Sequence, residues 1–329
     1  MTTRHSILIS LLLILSITRL SAQAGKYTPP EGYETLMSKR DYKFFVDESV
    51  RVISEQFRIA ETAGGVVTLE AGQELEIINL HNLMTACAGT EREYWPDRIR
   101  GHFEGLAESM KLQKELDYAN FPAMKDYLSI RIYPENYLEN YADPGILLRK
   151  THLEGTVSVL MLDLPTVFAP LEKELIASWG KTPEELFGIA QVNVNKHAFT
   201  KASHTIESEN SPLEIHFIEN EDYAASLALD LERNAPEFVG AWGSVVAIPN
   251  KGIVNICTIS EENPLDFILF IQTINPLVEQ FYREHPQPVS RSFYWYYQGH
   301  FTPIAVAESA SGLQVITPLG LSELMADPD

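Results

Sequence analysis

Residues 155–195 read GTVSVLMLDLPTVFAPLEKELIASWGKTPEELFGIAQVNVN, and this stretch decides the fold. Thr156 to Leu162 is apolar and rich in β-branched residues, which predicts a buried strand. Asp163-Leu164-Pro165 ends it, because proline cannot donate to a central ladder. Thr166 to Ala169 predicts a short second strand. Pro170 then predicts a helix start, with Leu171, Leu175 and Ile176 on one face and a stop at Trp179-Gly180. Thr182-Pro183-Glu184-Glu185 spells a capping box, with Thr182 as N-cap and Glu185 at the third helical position. The helix it opens is expected to bury Leu186, Phe187, Ala190 and Val194. These are structural signals, and none of them names a reaction.

Working outward, residues 1–24 have the form of a secretory leader. Arg4 and His5 precede the apolar run Ile7 to Ile17, which is shorter than the roughly 20 residues that span a bilayer. Ala22-Gln23-Ala24 fits a cleavage site, so the mature chain is expected to start near Gly25. Arg19 leaves a retained anchor as the alternative. No later segment is apolar enough to cross a membrane. The expected location is periplasmic or secreted.

Removing the two leader arginines from 25 basic residues leaves 23 against 45 acidic, a net charge near −22. Such an acidic chain is poorly suited to nucleic acid or to an anionic membrane surface. It permits a cationic partner. Cys87 and Cys257 are compatible with one disulfide in an oxidising compartment or with two buried thiols.

The rest of the chain predicts an α+β protein, with mostly antiparallel sheets and packed helices in two lobes. Residues 25–37 read as an extended arm and 38–195 as a first lobe. Residues 196–212 are polar and aperiodic and read as a loop or linker, and 213–329 as a second lobe. Within these, Ser38 to Glu55 and Trp95 to Met110 read as helices. Ala63-Gly64-Gly65 reads as a hairpin turn. Tyr127 to Tyr133 alternates like a half-buried strand. Tyr223 to Arg233 and Pro264 to Glu284 read as helices. Ser244–Ile248 with Ile253–Ile259, and Phe293–Tyr297 with Phe301–Val306, read as hairpins.

The motifs RIYP (Arg131 to Pro134), VSVLMLDLP, W-G-x-T-x-E-E-L (Trp179 to Leu186), DYAAS (Asp222 to Ser226), VAIPNK (Val246 to Lys251) and S-x-x-FYWYYQG follow one another in order. The chain from about Ser38 to Ala307 thereby resembles the YtpQ-like bacterial proteins, domain-of-unknown-function family 1444. The resemblance implies a shared fold and no activity, since the family has none established. Its members often carry a basic–acidic pair after the hairpin proline, whereas Lys251-Gly252 keeps only the base. They often lack a leader, so this chain reads as an exported variant.

Chemistry-bearing patterns are weak. Gly180-Lys181-Thr182 resembles the end of a phosphate loop, but Leu175 stands where its first glycine belongs. Gly240-Ala241-Trp242-Gly243-Ser244 has the wrong order for a nucleophile elbow. His197, His204 and His216 interleave with Glu207, Glu209, Glu214 and Glu219 without metal-site spacing, so they read as a solvated loop and no metal or cofactor is assigned. Asp163, Asp222 and Asp230 are carboxylates without a pairing that sequence can choose. Phe293-Tyr294-Trp295-Tyr296-Tyr297 offers aromatic faces that can stack a ligand or be buried. Arg131 and Tyr133 share one side of a strand; an arginine there is either exposed or paired with a carboxylate, for which Asp163 is the candidate, and the pair is a site if it lies in a cleft and otherwise a structural ion pair.

The candidate ligand-binding residues are Arg131, Tyr133, Asp163, Asp222, Tyr294, Trp295 and Tyr296, with no catalytic residue. The expected function is a non-catalytic binding or interaction protein. The alternatives are a hydrolase of an envelope or extracellular polymer and an acidic inhibitor of a basic partner.

Overall fold

The computed structural model describes residues 25–30, 32–140, 144–165, 167–207, 212–309 and 312–326. The leader expected at 1–24 lies outside these residues. The described chain is α+β with antiparallel sheets, and it divides into two compact units. Of the described residues, the first comprises those up to 116 together with 140, 163–165 and 167–169; the second holds the remainder.

In the first unit, helix α1 (Lys39–Ile53) is capped by the Ser38 side chain, which accepts from the Asp41 N–H. Strands β1 (Ile59–Ala63), β2 (Val66–Leu69) and β3 (Ile77–Asn79) form an antiparallel sheet. Helices α2 (His81–Ala88) and α3 (Trp95–Glu115) follow. Phe45, Val46 and Ile53 of α1 meet Met84 and Cys87 of α2, and Ile99 and Phe103 of α3, in one core that also takes Val67 and Ile78. The i, i+3, i+4 spacing of these apolar residues is what makes each helix bury a single face.

The second unit takes in β4 (Leu128–Pro134), the two-residue β5 (Arg149–Lys150) and β6 (Thr156–Leu164) as far as Leu162. β4 runs antiparallel to β6 in unbroken register from Leu128↔Leu162 to Pro134↔Thr156. The chain then forms β7 (Val167–Pro170). Pro170 therefore ends a strand and does not open a helix. The expected helix shrinks to a turn at Lys173–Ile176 and a 3-10 turn at Ala177–Trp179. Gly180 then reverses the chain at φ 61°. The capping box forms as expected and opens α4 (Pro183–Val194), which buries Leu186, Phe187, Ala190 and Val194.

A seven-stranded sheet dominates this unit, in the order β14-β13-β12-β10-β11-β9-β8. Its strands are β8 (Thr200–Ile206), β9 (Leu213–Glu219), β10 (Ser244–Asn250), β11 (Ile253–Thr258), β12 (Phe293–Tyr297), β13 (His300–Ser309) and β14 (Gly312–Ile316). Helix α5 (Asp266–Glu284) covers one face, where Phe267, Phe270, Ile271 and Ile274 meet Val245, Ala247 and Phe293. The other face buries Ala224, Leu227 and Leu231 with Val246, Val254 and Tyr294, and it also takes Ile132 of β4. A last helix, α6 (Leu319–Ala326), buries Leu321. No helix among the described residues is long and apolar enough to cross a membrane.

Three further expectations differ from the structure. The polar stretch after Asn195 contains β8, a strand whose side chains are exposed apart from the partly buried Ala202. An edge strand with water on both sides has no apolar period to reveal it. The helix expected over Tyr223–Arg233 is broken into turns at Ala224–Leu227, Ala228–Asp230 and Leu231–Asn234. β4 is buried on both faces, Arg131 included. Cys87 and Cys257 are both buried free thiols, and burial pushes them up to about 11 and about 12 respectively.

Candidate functional site

Three loops of the second unit and the middle of β4 bring charged groups together. Arg131 stands opposite Val159 in the β4–β6 ladder, with its side chain only 5% exposed. Its Nη1 donates to the Asp222 carbonyl, and its Nη2 donates to Gln287 Oε1 at 2.9 Å. Nη2 also lies 3.5 Å from the Asp222 carboxylate. Asp222 follows β9 and is fixed by Asn220, whose Oδ1 accepts the N–H groups of Asp222 and Tyr223, both at 2.8 Å. This side-chain turn explains the asparagine.

Lys251 sits in the β10–β11 turn. Its Nζ donates to Asp222 Oδ1 at 2.5 Å. Its backbone is clamped as well: the carbonyl accepts from Ala225 and the N–H donates to the Gln287 carbonyl. Asn250 holds the turn by accepting the Gly252 N–H at 2.8 Å. Gln287 in turn donates its N–H to His285 Nδ1 at 3.0 Å. Thus the α5–β12 connection supplies Gln287 and His285, and Arg131 and Lys251 converge on one carboxylate.

The electrostatics follow from that count. Burial drives the Lys251 ammonium below its ordinary value and Arg131 pushes the same way, while Asp222 offsets part of the shift. For Asp222, burial is the largest influence and acts upward, but the attraction of Lys251 and Arg131 outweighs it and holds the carboxyl down. Burial, then Lys251, holds His285 at about 4, so it is neutral at pH 7. Two buried cations therefore face one ionised carboxylate whose side chain is 40% exposed. Glu221 also acts on Lys251 but is solvent-exposed, where screening weakens it.

The other sequence candidates fall elsewhere. The carboxylate that stands 3.5 Å from Arg131 Nη2 is that of Asp222, where the sequence pointed to Asp163. Tyr133 is buried and stacks on Tyr137, with ring centroids 3.8 Å apart. Tyr294, Trp295 and Tyr296 are core residues on both faces of β12, so that strand offers no stacking surface. Their polar atoms are used internally: Tyr294 donates to the Glu154 carbonyl and Trp295 Nε1 to the Trp242 carbonyl. Alternation separates two faces of a strand and does not reveal that both are covered.

Lys251, Gln287, His285 and Asn220 were not sequence candidates. Lys251 ends the VAIPNK motif, which is the one signal that points to it. Among the described residues no group of three or more His, Cys, Asp or Glu side chains is placed to hold a metal ion. At Asp222 the partly exposed donor is the Lys251 ammonium, which keeps N–H groups beyond the one that Asp222 accepts. A separate shallow concavity of about 470 Å³ runs along α4 beside Gly188 and Val192, flanked by Lys125 and Lys196.

No family model, curated protein or solved structure matches the chain.

Proposed function

We propose that this is an exported, non-catalytic binding protein that takes the anionic group of a small ligand at the Asp222 cluster. One observation carries the reading: Arg131 and Lys251, both largely buried, share a single carboxylate. A buried ion costs several kcal/mol unless it is paired. Lys251 lies beside a second cation, Arg131, in a chain of net charge −20, and keeps N–H donors beyond the one that Asp222 accepts. A carboxylate or phosphate can accept from these donors. Lys251 is reachable, with its side chain 15% exposed, and one of its three N–H donors bonds to Asp222.

The resemblance to the YtpQ-like proteins supports the same reading. Its RIYP, DYAAS and VAIPNK motifs are far apart in sequence, and they supply Arg131, Asp222 and Lys251. Export rests on the leader pattern of residues 1–24.

The test is a titration of the protein with inorganic phosphate and with acetate, followed by amide NMR. Saturable shifts are expected at Lys251, Gly252 and Gln287. Lys251→Gln should weaken binding about tenfold or more, since a charge-assisted hydrogen bond contributes roughly 1.5–3 kcal/mol. Arg131→Lys serves as the second variant because it keeps the charge and loses the fork geometry. No saturable shift at these amides, or undiminished binding by Lys251→Gln, sinks the proposal.

A further inference from the structure

We infer that the outer edge of β8 is a docking strand for an extended, basic segment of another protein, an inference independent of the Asp222 cluster. β8 ends the seven-stranded sheet, and no strand among the described residues pairs with its outer edge. At every second residue such an edge leaves a backbone N–H and C=O pair pointing away from its neighbour.

Proteins usually blunt an edge of this kind with proline, a bulge, a short strand or a lysine. β8 has seven residues and no proline. Its register with β9 runs unbroken from Thr200↔Glu219 to Ile206↔Leu213, so no bulge twists it away. Its one lysine, Lys201, is ion-paired with Glu237 and so is neutralised as a deterrent. Thr200, Lys201, Ser203, His204, Thr205 and Ile206 are all exposed, so nothing among the described residues covers the strand. The opposite edge makes the contrast. β14 has five residues, and its Leu313 carbonyl already accepts from the Gln272 side chain.

Charge identifies the occupant. Glu207 follows β8 directly, and Glu214 and Glu219 stand on β9 opposite Thr205 and Thr200. All three are exposed and have no ion-pair partner among the described residues. With Lys201 offset by Glu237, three carboxylates remain around the edge. Glu207 stands beside the end of β8, and Glu214 and Glu219 lie on opposite faces of the sheet, about 10 Å (two strand spacings) from an added strand, so long cationic side chains on either face of that strand approach one of them. Strand addition takes affinity from main-chain hydrogen bonds and specificity from alternate side chains. The partner is therefore an extended segment with lysine or arginine at alternating positions. A second copy of this chain brings the same three acids to the seam and is disfavoured.

The experiment uses the mature full chain and a ten-residue peptide of alternating lysine and valine. Hydrogen–deuterium exchange should show protection gained across Thr200–Ile206. A control peptide of the same composition, N-methylated at alternate residues, keeps the charge and loses one hydrogen-bonding edge; it should give no protection. The double variant Glu214→Lys, Glu219→Lys, which changes only surface side chains, should bind at least tenfold more weakly. Three outcomes overturn the inference: no protection of β8 at saturating peptide, equal protection by the N-methylated control, or a protein already dimeric through β8 by sedimentation and exchange.

Discussion

At the scale of single residues, two glycines show how place decides the effect of one methyl group. Gly243 adopts φ 79°, and a Cβ there would lie 2.1 Å from the Tyr296 carbonyl oxygen, a backbone atom with no freedom to yield. Gly243→Ala should lower stability by on the order of 3 kcal/mol or more, from left-handed strain plus the collision. Gly188 lies inside α4, where an added Cβ meets nothing within 4 Å. Gly188→Ala should raise stability by about 0.8 kcal/mol through helix propensity. Urea midpoints of the two variants check both signs, and shifts in the same direction would contradict the packing at Tyr296. The same scale shows what the sequence could convey about the site. Arg131 in mid-strand called for either exposure or a carboxylate partner by its chemistry alone. That partner is Asp222, 91 residues away along the chain. Distance of that kind leaves no local trace, so a strand-end acid nearby, Asp163, was the natural expectation. Lys251 and Gln287 were hidden for the same reason.

At the scale of elements, the legible parts are those whose signal is local. The Thr182–Glu185 capping box forms both of its reciprocal hydrogen bonds, at 3.2 Å to Thr182 Oγ1 and 2.9 Å to Glu185 Oε2. Thr182→Ala should cost about 1 kcal/mol, and Thr182→Asn much less, because asparagine caps as well as threonine. Thermal unfolding of the two variants separates lost capping from a general intolerance of change at that position: equal losses in both would point to the latter. The hairpins at Gly64-Gly65 and Gln298-Gly299 were legible too, since positive φ at these positions favours glycine. The failures are instructive in the opposite sense. β8 has a strand's geometry and an exposed strand's composition, so its identity rests on pairing with β9 and not on its own residues. The aromatic run of β12 left open a stacking surface or a covered strand, because alternation carries no information about how many layers cover a sheet. Here α5 lies over one face and the 224–231 turns over the other.

At the scale of the whole molecule, the fold class was legible and the partition was not. Contiguous lobes were expected to divide near residue 195. The second unit instead starts at Asp117, apart from residues 140, 163–165 and 167–169 that go with the first, and Ile132 and Leu153 share a core with Ile218 and Val246 of the large sheet. Burial of ionisable groups then sets how the second unit responds to acid. His152 accepts or donates at Ser158 Oγ, 2.8 Å from its Nδ1, and burial with help from Lys150 holds it down to about 4. His285 is held at about 4 by burial and by Lys251. An unfolded histidine takes its proton near 6.5. Between pH 6.5 and about 4 the unfolded chain therefore binds more protons than the folded one, and stability falls as pH drops through that window. Each group contributes on the order of 3 kcal/mol at the acid end, with everything retained above the unfolded value. Asp222, also held down, adds its own loss at lower pH, below the ordinary carboxylate range. Urea midpoints at pH 7, 5.5 and 4.5 should fall steeply. His152→Gln with His285→Asn should flatten the curve in part, because burial shifts His216 of the same unit in the same direction. A double variant with an unaltered slope would place the acid response in other groups of the unit, His216 among them, and remove it from the Lys251 cluster.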